Sequence, residues 1–187
     1  IFVDSRIDKT VLDELPNLKL IATRSTGFDH IDLALCKERN ITVTNVPSYG
    51  ESTVAEYTFA LILSLSRKIY LSYDQVREEG SFKLDNLRGF DLVGKTLGVL
   101  GTGRIGKHVI KMAKGFEMKV VAFDSFPDTK SAQDLGFIYL PFDQVLAQSD
   151  ILTLHVPALP ETEHLINKES LKKIKRGAYL INTSRGG

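Results

Sequence analysis

The sequence holds one cysteine, Cys36, among 187 residues. A single thiol excludes an internal disulfide framework and fits a reducing compartment such as the cytoplasm. Cys36 lies in a helical stretch and reads as a small packed residue rather than a nucleophile. No segment reaches the roughly 18 apolar residues that a membrane-spanning helix needs, and no basic-then-apolar signal sequence stands at the start. Charge of one sign is also missing. The 24 Lys and Arg against 23 Asp and Glu leave a formal net charge of +1, which gives no reason to expect nucleic acid or an anionic membrane as partner. His30, His108 and His164 lie in or beside helical stretches, no two histidines have metal-ligand spacing, and no metal is expected. There is no internal repeat. What remains is an ordinary globular composition, 43% hydrophobic and 25% charged, long enough for one large or two small domains.

One stretch organises the rest. The apolar run Leu97-Gly98-Val99-Leu100 ends in Gly101-Thr102-Gly103-Arg104-Ile105-Gly106. A helical pattern follows, with Ile105, Val109, Met112, Ala113 and Phe116 on one face. A short apolar strand, Lys119–Phe123, closes on Asp124. Strand, glycine turn, helix, strand and acid are the parts of a dinucleotide site. Gly101 permits the tight turn, Gly103 lets the backbone approach a pyrophosphate, and Gly106 lets helix pack on strand. The helix N-terminus offers unpaired amides and a positive dipole end. Asp124 falls close to the expected offset of about 20 residues and can accept hydrogen bonds from ribose hydroxyls. Its charge would repel a 2′-phosphate, and Ser125, Phe126 and Pro127 supply no Arg, so NAD is favoured over NADP. Taken alone, Asp124 is equally a helix cap or a solvated strand end.

Residues 1–49 read as a miniature βαβαβ: strands at Ile1–Val3, Leu18–Ala22 and Ile41–Val46, helices at Lys9–Leu15 and Ile31–Arg39. The polar loop from Thr23 to Asp32 follows a strand, where open α/β sheets place ligands. Amides around Thr26 and Gly27 could hold a small carboxylate, or the stretch is a plain βα loop. Thr53-x-x-Glu56 has capping-box spacing. Val54 to Leu65 is then apolar almost all round, as in a helix buried on several sides, and turns amphipathic beyond Arg67. Such a helix could lie between two domains and extend into a subunit contact, or be an ordinary core helix. A polar connection, Glu78 to Gly89, leads to the glycine-rich stretch. After Asp124 the alternation continues with a strand at Phe137–Leu140, a brief helix capped by Asp143, and a strand at Ile151–His155. A helix at Lys168–Ile174 and a strand at Ala178–Asn182 complete it. Near-continuous apolar strands alternating with helices predict a doubly wound parallel sheet of α/β class.

His155-Val156-Pro157 and Asn182-Thr183-Ser184-Arg185-Gly186 both fall at carboxyl ends of strands, which line the same crevice as the glycine turn. Arg185 would place a permanently charged fork there, suited to a carboxylate and a carbonyl oxygen. The plainer alternative is a surface salt bridge. His155 reads as a hydrogen-bonded strand-end histidine in preference to a proton donor. The first and last residues both abut strands, so a fragment of a longer protein is expected.

These stretches resemble the D-isomer-specific 2-hydroxyacid dehydrogenases. The likeness is carried by Arg24 to Asp32, by Asn45-Val46-Pro47-Ser48-Tyr49 with Val54-Ala55-Glu56, by Gly101 to Gly106 with Asp124, and by the two strand-end motifs. They run in the family's order over almost the whole chain. Tyr49 looks most like the D-lactate dehydrogenase branch. The resemblance implies a Rossmann NAD-binding domain over residues 50–187, opened by a long interdomain helix whose residues 50–73 serve a homodimer. It implies that residues 1–49 are part of a smaller, flavodoxin-like substrate domain. Backbone at Thr26 and Gly27, with Tyr49 nearby, would bind a 2-keto or 2-hydroxy acid substrate. Gly101, Gly103, Arg104, Ile105 and Gly106 would face the pyrophosphate and Asp124 the ribose. Val156, Pro157 and Thr162 would line the adenine side, and Thr183, Ser184 and Arg185 the nicotinamide. Arg185 matches the catalytic arginine. The family's histidine acid/base and its partner glutamate lie beyond the motif at Arg185 and are not matched here, so this chain alone is expected to be inactive. The resemblance points to reduction of pyruvate to D-lactate with NADH. Alternatives are a hydroxypyruvate or glyoxylate reductase, a formate-type dehydrogenase and an NAD-sensing corepressor of the same fold.

Overall fold

The computed structural model describes residues 5–186. It divides into two compact units, residues 1–50 and 51–187. The strand expected at Ile1–Val3 lies outside the described residues. In the first unit, Asp8 caps α1 (Lys9–Asp13) by accepting from the amides of Thr10 and Val11. The strand β1 is Leu20–Ala22, two residues shorter than expected at its start. The second helix, α2 (Leu33–Glu38), begins later than expected because the Asp32 carboxylate accepts from the Leu35 amide at 2.9 Å and so caps it. The strand β2 (Thr42–Thr44) pairs in parallel with β1. Leu12, Ile21, Ile31, Cys36 and Ile41 make a core of their own. Cys36 is packed there as a small apolar residue; burial, with a contribution from Asp32, pushes its thiol pKa up.

The second unit opens with α3 (Glu51–Ser66) and α4 (Ile69–Arg77). The single long helix expected over residues 50–73 is therefore two. The cause is distant in sequence. The Ser66 carbonyl accepts from the Phe90 amide at 2.9 Å, and Gly89 lies so close that a Cβ there would come within 1.9 Å of that oxygen. The returning chain occupies the carbonyl, and Lys68 turns left-handed (φ 55°) to start α4. Nor is Thr53 the cap of a capping box, since α3 already begins at Glu51. Buried Ala55, Thr58, Phe59, Ile62 and Ser66 form one stripe rather than an all-round buried surface. Phe59 stacks on Phe116 with centroids 5.2 Å apart.

The sheet is built from β3 (Thr96–Leu100), β4 (Lys119–Phe123), β5 (Ile138–Tyr139), β6 (Ile151–Leu154) and β7 (Tyr179–Asn182). Its strands are parallel, in the order β5-β4-β3-β6-β7. The helices α5 (Arg104–Gly115), α6 (Thr129–Leu135), α7 (Phe142–Gln148) and α8 (Lys168–Lys173) alternate with the strands. Asp143 lies inside the first turn of α7, whose N-cap position is Pro141, so it does not cap. The short helix α6 was not expected; Asp128 caps it and left-handed Gly136 ends it. Apolar layers cover both faces, one around Phe59, Leu97, Val99, Val109 and Ile110, the other around Leu100, Val121, Leu146 and Leu152. That is the doubly wound arrangement of the Rossmann class. The strand order reverses between β3 and β6, which places the ligand crevice at their carboxyl ends.

Candidate functional site

Register brings the site together. Leu100 pairs with Phe123 and with Leu154, and Leu154 pairs with Asn182. The next residue of each chain leaves the sheet in the same row: Gly101, Asp124, His155 and Thr183. Residues widely separated in sequence thus meet at one edge, the crevice predicted by the strand order.

The three glycines of the turn are required for three different reasons. Gly101 has φ +91°, and a Cβ on it would lie 2.8 Å from the His155 carbonyl carbon. Gly106 is forced by packing, because a Cβ would meet the Gly101 oxygen at 2.1 Å. Gly103 has an ordinary φ of −63°, and a Cβ there would meet nothing within 4 Å. Neither strain nor packing explains it. A bare backbone at that point leaves room for a group from outside the protein, as a pyrophosphate requires. No side chain caps α5, so first-turn amides at Ile105 and Gly106 remain for such a group. The Arg104 guanidinium lies 3.7 Å from the Glu51 carboxylate.

Asp124 is tightly held. Its Oδ2 accepts from the Thr102 amide at 2.6 Å and the Thr102 hydroxyl at 2.8 Å. Its Oδ1 accepts from the Phe126 amide at 2.9 Å. Burial works to raise its pKa, but the bonds from Phe126 and Thr102 and the charge of Lys107 outweigh burial and leave it below the ordinary carboxylate value. The proton order of the network follows. Thr102 gives its hydroxyl hydrogen to Asp124, so Tyr139 must donate to Thr102 across their 2.7 Å contact. The Tyr139 oxygen accepts in turn from the Asp128 amide. Each donor in this series points toward Asp124. Thr102 and Tyr139 escaped the sequence reading, although Thr102 stands inside the glycine motif.

His155 is a strand-end histidine hydrogen-bonded through Nε2 to the Thr153 hydroxyl at 3.0 Å. Its Nδ1 is buried without a partner among the described residues, and burial lowers its pKa to about 4. A neutral imidazole of that kind is a poor proton reservoir near neutral pH. Val156 is half-buried and Pro157 exposed. The Pro157 carbonyl accepts from the Thr162 hydroxyl at 2.5 Å, and that hydroxyl also accepts from the Leu159 amide. Thr162 therefore folds the loop after β6 back on itself, in the short 3-10 turn Pro160–Thr162.

At the end of β7, the Asn182 carboxamide braces the turn that carries Arg185. Its Oδ1 accepts from the Ser184 amide and hydroxyl, and its Nδ2 donates to the Arg185 carbonyl at 2.8 Å. The exposed Arg185 side chain donates to the Ser184 carbonyl. The buried Thr58 hydroxyl of α3 donates to the Val54 carbonyl. Thr183 must then be the donor in its 2.9 Å bond to Thr58, which leaves the Thr183 oxygen an acceptor toward the crevice.

Thr26, Gly27 and Tyr49 belong to the first unit. The Gly27 carbonyl accepts from the Ser25 hydroxyl at 2.6 Å and the Thr26 carbonyl from Asn45 Nδ2 at 2.8 Å. Both carbonyls are tied down, while the amides of Thr26 and Gly27 donate to no group among the described residues. That polarity suits an anion. Tyr49 is exposed.

Comparison with known proteins agrees with this geometry. The family model described as the D-isomer specific 2-hydroxyacid dehydrogenase NAD binding domain matches residues 59–187. The D-lactate dehydrogenase of Escherichia coli is 39% identical over the whole of this chain and 56% of its own length. A glyoxylate reductase of Korarchaeum cryptofilum is 39% identical over 96% of this chain and 55% of its own. A crystal structure of D-lactate dehydrogenase from Aquifex aeolicus, complexed with NAD and lactic acid, superposes with a TM-score of 0.92 at 42% identity. That match covers 99% of this chain and 55% of the other. The chain thus spans little more than half the length of the relatives it matches.

Proposed function

Because this chain belongs to the D-isomer specific 2-hydroxyacid dehydrogenase family, whose NAD-binding domain it carries, we propose that its protein reduces a small 2-keto acid to a D-2-hydroxy acid. Pyruvate and D-lactate are the first pair. Bound NADH supplies the hydride. The reading is carried by one observation, the common row in which Gly101, Asp124, His155 and Thr183 leave the sheet.

That row supports the following roles. Asp124 accepts from the adenosine ribose hydroxyls, and the bare backbone at Gly103, with Arg104 beside it and the amides of Ile105 and Gly106, takes the pyrophosphate. Val156, Pro157 and Thr162 line the adenine side. Thr183 and Ser184 face the nicotinamide, with Thr183 accepting. Arg185 aims its charged fork at the substrate and stabilises the negative charge that grows on the keto oxygen, the kind of preorganised electrostatics that carries most of such a barrier reduction. The amides of Thr26 and Gly27, together with Tyr49, bind the substrate carboxylate. His155, held neutral by burial, is not the proton donor.

We propose in addition a homodimer through α3 and α4. Tyr57, Tyr70, Tyr73 and Val76 are exposed there, and Phe82 and Leu84 on the adjoining connection are more exposed still. Exposed apolar groups on consecutive elements support a contact face there. The buried free thiol of Cys36 suits the reducing cytoplasm.

The test is NADH oxidation by the full-length protein with pyruvate, glyoxylate and hydroxypyruvate in parallel. The expected result is turnover with the highest kcat/KM for pyruvate. A preference for glyoxylate would move the protein to the reductase reading, which the Korarchaeum cryptofilum relative supports. Binding of NADH with no turnover on any keto acid would leave a dinucleotide-binding module instead.

A further inference from the structure

The turn between β4 and α6 holds a second carboxylate, that of Asp128, which does more than cap α6. The Asp128 Oδ2 lies 2.7 Å from the Lys107 ammonium. Lys107 comes from the first turns of α5, beside the glycine motif, and its charge acts on Asp124. The fold thus delivers to the ribose acid a cation absent from the residues that follow it, Ser125-Phe126-Pro127. A lysine in that place could take the 2′-phosphate of NADP as a charge-assisted partner. Asp128 stands in the way. Besides the ion pair, it accepts from the Ser131 amide at 3.0 Å and the Ser131 hydroxyl at 2.6 Å as the cap of α6. The Asp128 amide donates to the Tyr139 hydroxyl, the first step of the series that ends on Asp124. The two carboxylates and the lysine therefore form one assembly, fixed by backbone on both sides.

We propose that Asp128 is a cofactor-specificity residue: it keeps Lys107 in an ion pair and so denies that cation to a 2′-phosphate, reinforcing the repulsion from Asp124. The inference rests on the assignment of Asp124 to the ribose. A structural cap alone would not produce this effect, because Asn and Ser cap a helix about as well as Asp but do not hold a lysine.

The experiment is fluorescence titration of the full-length protein with NADPH and NADH at low ionic strength. The variants are Asp124→Ser, Asp124→Ser with Asp128→Asn, and the latter with Lys107→Met. Asp124→Ser alone reads the underlying assignment; it should weaken NADH. The pair should bind NADPH about tenfold more tightly than Asp124→Ser, the size of one charge-assisted contact, with NADH changed less than threefold. Lys107→Met should erase the gain, and added salt should shrink it. Asp128→Ser in place of Asn should behave the same and carries the measurement if the Asn variant folds poorly. No gain in the pair, or a gain that survives Lys107→Met, overturns the role of Asp128 while leaving Asp124 intact. Undiminished NADH affinity in Asp124→Ser removes the ribose assignment and the inference with it.

Discussion

At the scale of single residues, Asp124, the acid proposed for the ribose, is held in place by its neighbours. Three donors converge on Asp124, and Thr102 supplies two of them. Thr102→Val keeps the shape but removes the hydroxyl donor and leaves the Tyr139 hydrogen without its acceptor. Hydrogen bonds to charged groups contribute about 1.5–3 kcal/mol, so this change should raise the NADH Kd by about tenfold and lower stability by about 1–2 kcal/mol. Tyr139→Phe, one bond further away, should do less of both. Calorimetric titration with NADH and denaturant melts check the pair; equal affinity in Thr102→Val would contradict the series of donors. The acid itself is legible in the sequence, because it follows an apolar strand at the expected offset from the glycines. Its supports are not. Tyr139 and Asp128 reach it only after α6 and β5 fold back, and nothing local in Phe137–Leu140 marks the tyrosine as anything but a strand residue.

At the scale of elements, the glycine turn separates packing from ligand approach. Gly106→Ala forces a Cβ to within 2.1 Å of the Gly101 carbonyl and should cost about 2–3 kcal/mol of stability as overpacking. Gly103→Ala meets open space, so its melt should stay within about 1 kcal/mol of the parent while NADH affinity falls. Loss of stability in both, or in neither, would contradict the distinct reasons given for the two positions. The elements also show where patterns stop informing. The alternation of strands and helices was plain, since each strand is a short, nearly unbroken apolar run. The break between α3 and α4 was not. It is imposed by the Phe90 amide and the close passage of Gly89, more than 20 residues away. The short α6 buries only Ala132, too little for a periodic stripe, though Asp128 before it and Gly136 after it were readable start and stop signals.

At the scale of the whole molecule, burial of His155 links stability to pH. Its unfolded value is 6.5 and its folded value about 4. As pH falls through that window the unfolded chain takes up the proton first, so stability present above 6.5 is lost on the way to 4, roughly 3 kcal/mol in full. His155→Asn should flatten this part of the profile in denaturant melts between pH 7 and 4.5; an unchanged slope would contradict a buried neutral imidazole. Asp124, with its lowered pKa, adds stability that is lost only at lower pH, as its carboxylate protonates. The proposed dimer belongs at this scale too. Tyr73→Glu and Val76→Glu place charge on the exposed face of α4 and should shift the full-length protein to monomer in sedimentation velocity; a dimer that persists would move the interface elsewhere. The proposed reaction turns on Arg185, which is carried by the turn that Asn182 braces at the end of β7. The decisive measurement is therefore the kcat/KM of the full-length protein for pyruvate with NADH, before and after Arg185→Lys, with the NADH Kd taken alongside. Lys cannot reproduce a planar, bidentate fork, so a fall of about 100-fold or more (about 3 kcal/mol of transition-state stabilisation) with Kd nearly constant is the predicted result. A lysine variant that keeps its rate would contradict the role of Arg185 and the reaction built on it.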